Sequence, residues 1–100
     1  MNKKQIIELL EKEFEMATRE FDKALEAKKE YFKKAKDGEM AGEFANSQYY
    51  LVLSQRMENE ATMQATISTK LAEMLAKIEN VGFDEKNEQL MKKYNLIKEF

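Results

Sequence analysis

From Lys3 to Lys36 the chain runs without glycine or proline, and Leu10, Phe14, Ala17, Phe21, Ala24, Lys28, Tyr31 and Ala35 recur at alternating steps of four and three. That spacing holds side chains on one face of an α-helix and matches the a/d seam of a coiled coil. Only Lys28 breaks its apolar character. Glu8–Lys12, Glu15–Arg19 and Glu30–Lys34 stand one turn apart in the favourable order, each adding a few tenths of a kcal/mol. Acidic residues crowd the first half, and Lys28, Lys29, Lys33, Lys34 and Lys36 crowd the end, which suits the helix dipole. The pattern predicts one helix over 3–36, about 50 Å long at about 1.5 Å per residue.

Lys36-Asp37-Gly38-Glu39 reads as a stop, with Gly38 in the left-handed C′ position. Gly42 is a second break, so the next helix starts between 39 and 43. A connection this short makes the two helices antiparallel neighbours. In the second helix Tyr50, Leu53, Met57, Glu60, Gln64, Ile67, Leu71, Met74, Ile78 and Val81 again step by three and four, beside a line of small residues, Ala61, Ala65, Ser68 and Ala72. Tyr49-Tyr50-Leu51-Val52-Leu53 is apolar all round and could pair as a strand, but no turn signal flanks it, so helix is expected. Thr62, Thr66, Ser68 and Thr69 lower helix propensity and mark a candidate bend or second binding face. Gly82 reads as the cap of this helix, and Asp84 as the N-cap of a third, with Leu90, Met91, Tyr94, Ile97 and Phe100 on one face. The expected fold is therefore all-α, a single domain over 1–100. It is a long antiparallel helical hairpin (about 3–36 and 41–80) with a short C-terminal helix (about 85–98), dimerising into a helical bundle.

A turn at 37–40 would set Phe21 opposite Met57, Phe14 opposite Met63–Gln64, and Leu10 opposite Ile67. The third helix could fold back over the overhanging end of the second. At the hairpin tip Tyr31, Phe32, Phe44, Tyr49, Tyr50, Leu51 and Val52 gather over more than one face, more apolar surface than two helices can bury between them. Exposed patches of that kind mark interaction surfaces, and small chains have an unfavourable surface-to-volume ratio. Self-association about a two-fold axis is expected, with Tyr31, Phe32, Phe44, Tyr49, Tyr50 and Met57 as the partner or self-association surface.

Composition closes several functional classes. The 100 residues contain no Cys and no His, so disulfides, thiolate or zinc sites and His-dependent nucleophiles cannot be built from this chain alone. No metal and no cofactor is expected. No apolar run approaches ~18 residues, the length of a membrane span. The N-terminus turns acidic before a signal-peptide core can form, so a cytoplasmic location is expected. Carboxylates are the abundant catalytic type, but Glu8, Glu11 and Glu15 on one face, and Glu13 and Glu20 on another, read as solvated rather than as a pair held at different pKa values. Glu60 points inward and reads, with Gln64, as a register-fixing polar residue. Asp84-Glu85-Lys86-Asn87-Glu88 lacks calcium-loop spacing. Met57, Met63 and Met74 read as core gap-fillers.

Lys28, Lys29, Lys33, Lys34 and Lys36 interleave with Tyr31 and Phe32, as nucleic-acid contacts can. Against this, net charge is −2, and Arg19 and Arg56 are the only arginines, so bidentate phosphate or guanine contacts are scarce. In length and in its long helical hairpin the chain resembles the WXG100 secretion substrates. It departs from them at the turn, where Asp37-Gly38-Glu39 has no Trp, and at Tyr94-Asn95-Leu96-Ile97-Lys98, which lacks an acidic residue four positions after the Tyr. No family is therefore assigned. Lysine use over arginine and small size suit an accessory protein of a low-GC bacterium or phage. The expected function is a non-enzymatic protein–protein interaction module, an adaptor, chaperone or steric inhibitor with a protein partner. A nucleic-acid-binding bundle using the lysine-rich end of the first helix is the alternative.

Overall fold

The computed structural model describes residues 1–96 and is all-helical: α1 (Lys3–Met40), α2 (Phe44–Glu79) and α3 (Phe83–Lys93). The two long helices pack against each other as the periodicity predicts. α2 is continuous through the apolar run 49–53 and the hydroxyl-rich stretch. There Thr62 Oγ1 donates to the Glu58 carbonyl (3.1 Å) and Ser68 Oγ to that of Ala65 (3.0 Å), so these hydroxyls are satisfied without bending the helix apart. No helix among the described residues is long and apolar enough to cross a membrane.

The helix ends differ from those expected, for one physical reason. α1 does not stop at Gly38. It continues to Met40, and Gly42, at φ 78°, is the left-handed residue. The Glu43 N–H donates to the Gly38 carbonyl (2.7 Å) and the Gly42 N–H to that of Glu39 (3.1 Å), the paired bonds of a Schellman ending. Gly38 serves close packing instead. A Cβ there would lie 3.3 Å from the Ser47 backbone nitrogen and 3.4 Å from the Glu43 carbonyl oxygen. α2 ends in the same motif with Asn80 (φ 55°) rather than Gly82, since Val81 N–H donates to Ala76 and Asn80 N–H to Lys77. α3 starts at Phe83 with Gly82 as its N-cap, not Asp84, and has no side-chain cap. It ends at Lys93, where Asn95 (φ 53°) lets Leu96 N–H reach the Met91 carbonyl at 2.8 Å. The expected continuation to 98 is thus cut short, while Ile97 and Phe100 lie outside the described residues. At the other end Asn2 and Gln5 exchange side-chain-to-backbone bonds of 2.9 and 3.1 Å, a capping box.

Moving the turn to 41–43 also moves the register. Lys28, which the earlier turn would set beside Tyr49, accepts a hydrogen bond at its carbonyl from Ser54 Oγ (3.3 Å), and Tyr31 stacks on Tyr50. On α2 the buried line is the small one, with Ser47, Ser54, Ala61, Ala72 and Ala76 facing inward. The larger seam residues flank it. Ile67, Met63 and Met74 are exposed, against the expectation of core packing for the two methionines.

The chain forms two compact units, Glu20–Met63 and Met1–Arg19 with Gln64–Phe100. In the latter, Phe14 from α1, Leu71, Ala72 and Leu75 from α2, and Leu90 and Leu96 from the C-terminal part make a core, with Ile7, Leu10, Met91 and Tyr94 against it. In Glu20–Met63 the buried residues are Ala24, Ala35, Gly38, Ser47, Ser54 and Ala61, all small.

Candidate interaction surface

All eleven residues singled out in the sequence fall in the unit Glu20–Met63. Its two helices expose very different chemistry. Of the twelve exposed residues on α1 between 20 and 40, ten are charged, with Phe32 and Met40 the exceptions. Of the thirteen on α2 between 44 and 63, two are charged, Arg56 and Glu58. No charge interrupts 44–55 at all. On α2 Phe44 is 67% exposed, Tyr49 60% and Val52 52%, with Leu51 and Met63 exposed beside them.

The tyrosines divide between the interior and this surface. Tyr31 and Tyr50 are half-buried and stack at 6.2 Å between centroids, and Tyr49 meets Tyr50 edge-on at 5.4 Å. The stack joins α1 to α2, while Tyr49 stands outside it. Met57 is half-buried and lines a shallow groove of about 230 Å³ with Glu20, Lys23, Ala24, Ala27 and half-buried Glu60. Phe32 is exposed on α1, with the Lys36 ammonium 4.9 Å over its ring.

Three of the five candidate nucleic-acid lysines have partners in their own unit. Lys28 pairs with Glu58 at 3.7 Å, Lys34 lies 5.9 and 5.6 Å over the Tyr31 and Tyr50 rings, and Lys36 covers Phe32. Cation–π contacts at exposed sites contribute about 0.5–1 kcal/mol each. Lys29 and Lys33 are exposed.

The other unit holds a cluster that sequence reading placed wrongly. Glu11, assigned above to the solvated side, is 6% exposed, and Lys86 is 4% exposed. Lys86 Nζ reaches Glu11 Oε2 at 3.3 Å and Glu79 Oε2 at 2.5 Å, while Lys93 Nζ donates to Glu11 Oε1 at 3.0 Å. The Lys86–Glu79 contact is an ion pair outside hydrogen-bond geometry. One carboxylate of α1 and one of α2 thus grip α3 through its two lysines. The hydrogen bond from Lys93 to Glu11 holds the Lys93 ammonium above the usual lysine range, although burial pulls the other way. Burial also pushes the Tyr94 phenol up, opposed by the adjacent Lys93. A signal for the cluster was present in the spacing. Glu11 sits between Ile7 and Phe14 on the apolar stripe of α1, and Lys86 and Lys93 bracket Leu90 on α3. Beside it an open groove of about 480 Å³ is lined by Lys3, Lys4, Ile7, Glu8, Glu11 and Lys93. Both Glu11 oxygens are committed to ammonium groups, which suits a clamp rather than a proton carrier.

No known protein family matches the chain, and neither a curated protein nor a solved structure is significantly similar to it.

Proposed function

We propose that the chain is a non-enzymatic protein–protein interaction module, an adaptor, chaperone or steric inhibitor, that presents the charge-poor face of α2 between Phe44 and Met63. One observation carries this reading: the contrast between the charged exterior of α1 and the neutral, aromatic exterior of α2 in the same unit. The desolvated centre of a protein interface is depleted of Lys, Glu and Asp and enriched in Tyr, Phe, Met and Arg. Burying such a surface removes apolar area from water without stranding charges, whereas burying the α1 exterior would strand many.

A pull-down with the full chain tests the reading, using Phe44→Ser/Tyr49→Ser/Val52→Ser as the control. These side chains are exposed, so the variant should keep the helical circular dichroism of the parent. A protein that co-purifies with the parent and is lost with the variant supports the module. Partners retained equally by both would overturn the assigned face. The lysine-rich alternative is tested by a gel shift with mixed DNA and RNA at ~50 mM salt, where non-specific phosphate contacts are strong. The partners already held by Lys28, Lys34 and Lys36 favour no shift.

A further inference from the structure

The outward face of α2 has an order of its own. Ala45, Tyr49, Val52, Arg56, Asn59 and Met63 step by four, three, four, three and four, and every one of them is exposed. This is a second a/d seam, distinct from the buried line of Ser47, Ser54 and Ala61 that packs within the unit. A helix with an inner and an outer seam is built to have helices on both sides. Only the inner one is occupied within this unit.

We infer that the outer seam is the interface of a two-fold homodimer, in which α2 of a second copy packs along Ala45–Met63. This rests on the reading of that face as a protein-binding surface and names its occupant. Charge selects a second copy. An isologous interface brings each surface against itself, so any net charge on it repels. In a chain with 36% charged residues most faces would do so. The outer seam carries one charge in six positions, and Arg56 has a long stem that can lie over a neighbouring helix with its head in water. Partners rich in charge, nucleic acid included, would find almost nothing to pair with. Heptad spacing also fits a copy of itself, because two identical seams mesh knobs into holes without further design. Twenty residues of helix, about 30 Å long, would bury on the order of 1,000 Å² in total, the low end for a specific interface. Reversible association follows.

Sedimentation velocity of the full chain from ~1 μM to ~1 mM should show a monomer–dimer equilibrium. Val52→Glu enters a two-fold interface twice, so it should weaken association by about a hundredfold, given about tenfold per buried hot spot, with unchanged helicity. Lys29→Glu, on the exposed exterior of α1, should not. Because the chain has no cysteine, single-cysteine variants at 45, 49, 52, 56, 59 and 63 report geometry under mild oxidation. Cross-linking at one position alone indicates antiparallel helices, and at every position parallel ones. Either supports the inference. It is overturned by a parent monomeric throughout, by Val52→Glu dimerising like the parent, or by a dimer that cross-links through Phe32→Cys and at no seam position. A monomeric parent removes the second copy alone. The module reading is decided separately, by what the triple-serine variant loses in the pull-down.

Discussion

Removing the Lys86 ammonium would leave Glu11 and Glu79 without the group that reconciles them in a site nearly closed to water. Breaking one partner of a buried pair costs about 3–5 kcal/mol, because the stranded charge loses its compensation. Lys86→Met should therefore lower the unfolding free energy in urea by about 3 kcal/mol. Adding Glu11→Leu should restore much of the loss, since Lys93 is largely exposed and can turn to solvent. If Lys86→Met alone were neutral, the cluster would be a bystander. Lys93 gives the same cluster a pH dependence. Its folded pKa is raised, so its contribution is whole below the ordinary lysine value and is lost as pH rises through the folded one. Tyr94, also raised, acts in the same direction. The thermal midpoint of the parent should fall more steeply above about pH 10 than that of Lys93→Gln. Exposure of Lys93 keeps the difference small. None of these partners was assigned from sequence. Spacing put Glu11 on the apolar stripe, but choosing between a solvated edge and a buried clamp required knowing where α3 lands, and nothing local to 83–93 states that.

At the level of elements, periodicity sufficed to identify all three helices, and punctuation was the weaker guide. Gly38 and Gly82 were taken as C-terminal caps because glycine reaches the left-handed region without strain. The residues that occupy it are Gly42, Asn80 and Asn95. Asparagine tolerates that conformation too, and Gly38 is fixed by the approach of Ser47 across the turn, which is a tertiary reason. The two glycines consequently respond to different substitutions. Gly42→Ala has open space around its Cβ but a positive φ, and should cost about 1 kcal/mol. Gly38→Val must push on backbone atoms held by the turn's own hydrogen bonds, and should cost about 2 kcal/mol. Gly82→Ser works in reverse. Its extended backbone suits an N-cap hydroxyl, nothing lies near its Cβ, and α3 starts without a side-chain cap. A gain of about 0.5 kcal/mol is expected, read as a higher thermal midpoint.

For the molecule as a whole, the two units are filled differently. The largest fully buried side chains, Phe14, Leu75 and Leu90, all belong to the unit that contains both ends of the chain. Glu20–Met63 buries alanine, glycine and serine, which brings helices close but removes little apolar area from water per residue. Its large side chains are half-buried, like Tyr31 and Tyr50, or exposed, like Phe44, Tyr49 and Val52. Local opening should therefore be easier there than in the unit with the leucine and phenylalanine core. Native-state amide exchange should show the contrast directly, with backbone amides of α1 near 24–35 and of α2 near 47–61 exchanging faster than those near 10–17 and 71–76. Concentration supplies the discriminating step. If the outer seam of α2 is covered by a second copy, raising protein from ~10 μM to ~1 mM stabilises Glu20–Met63 by mass action. Exchange should then slow selectively in that unit, while amides around Phe14 and Leu75 change little. Equal slowing in both units would mean that association reports global stability, and no slowing in either would leave the neutral face of α2 without the partner assigned to it.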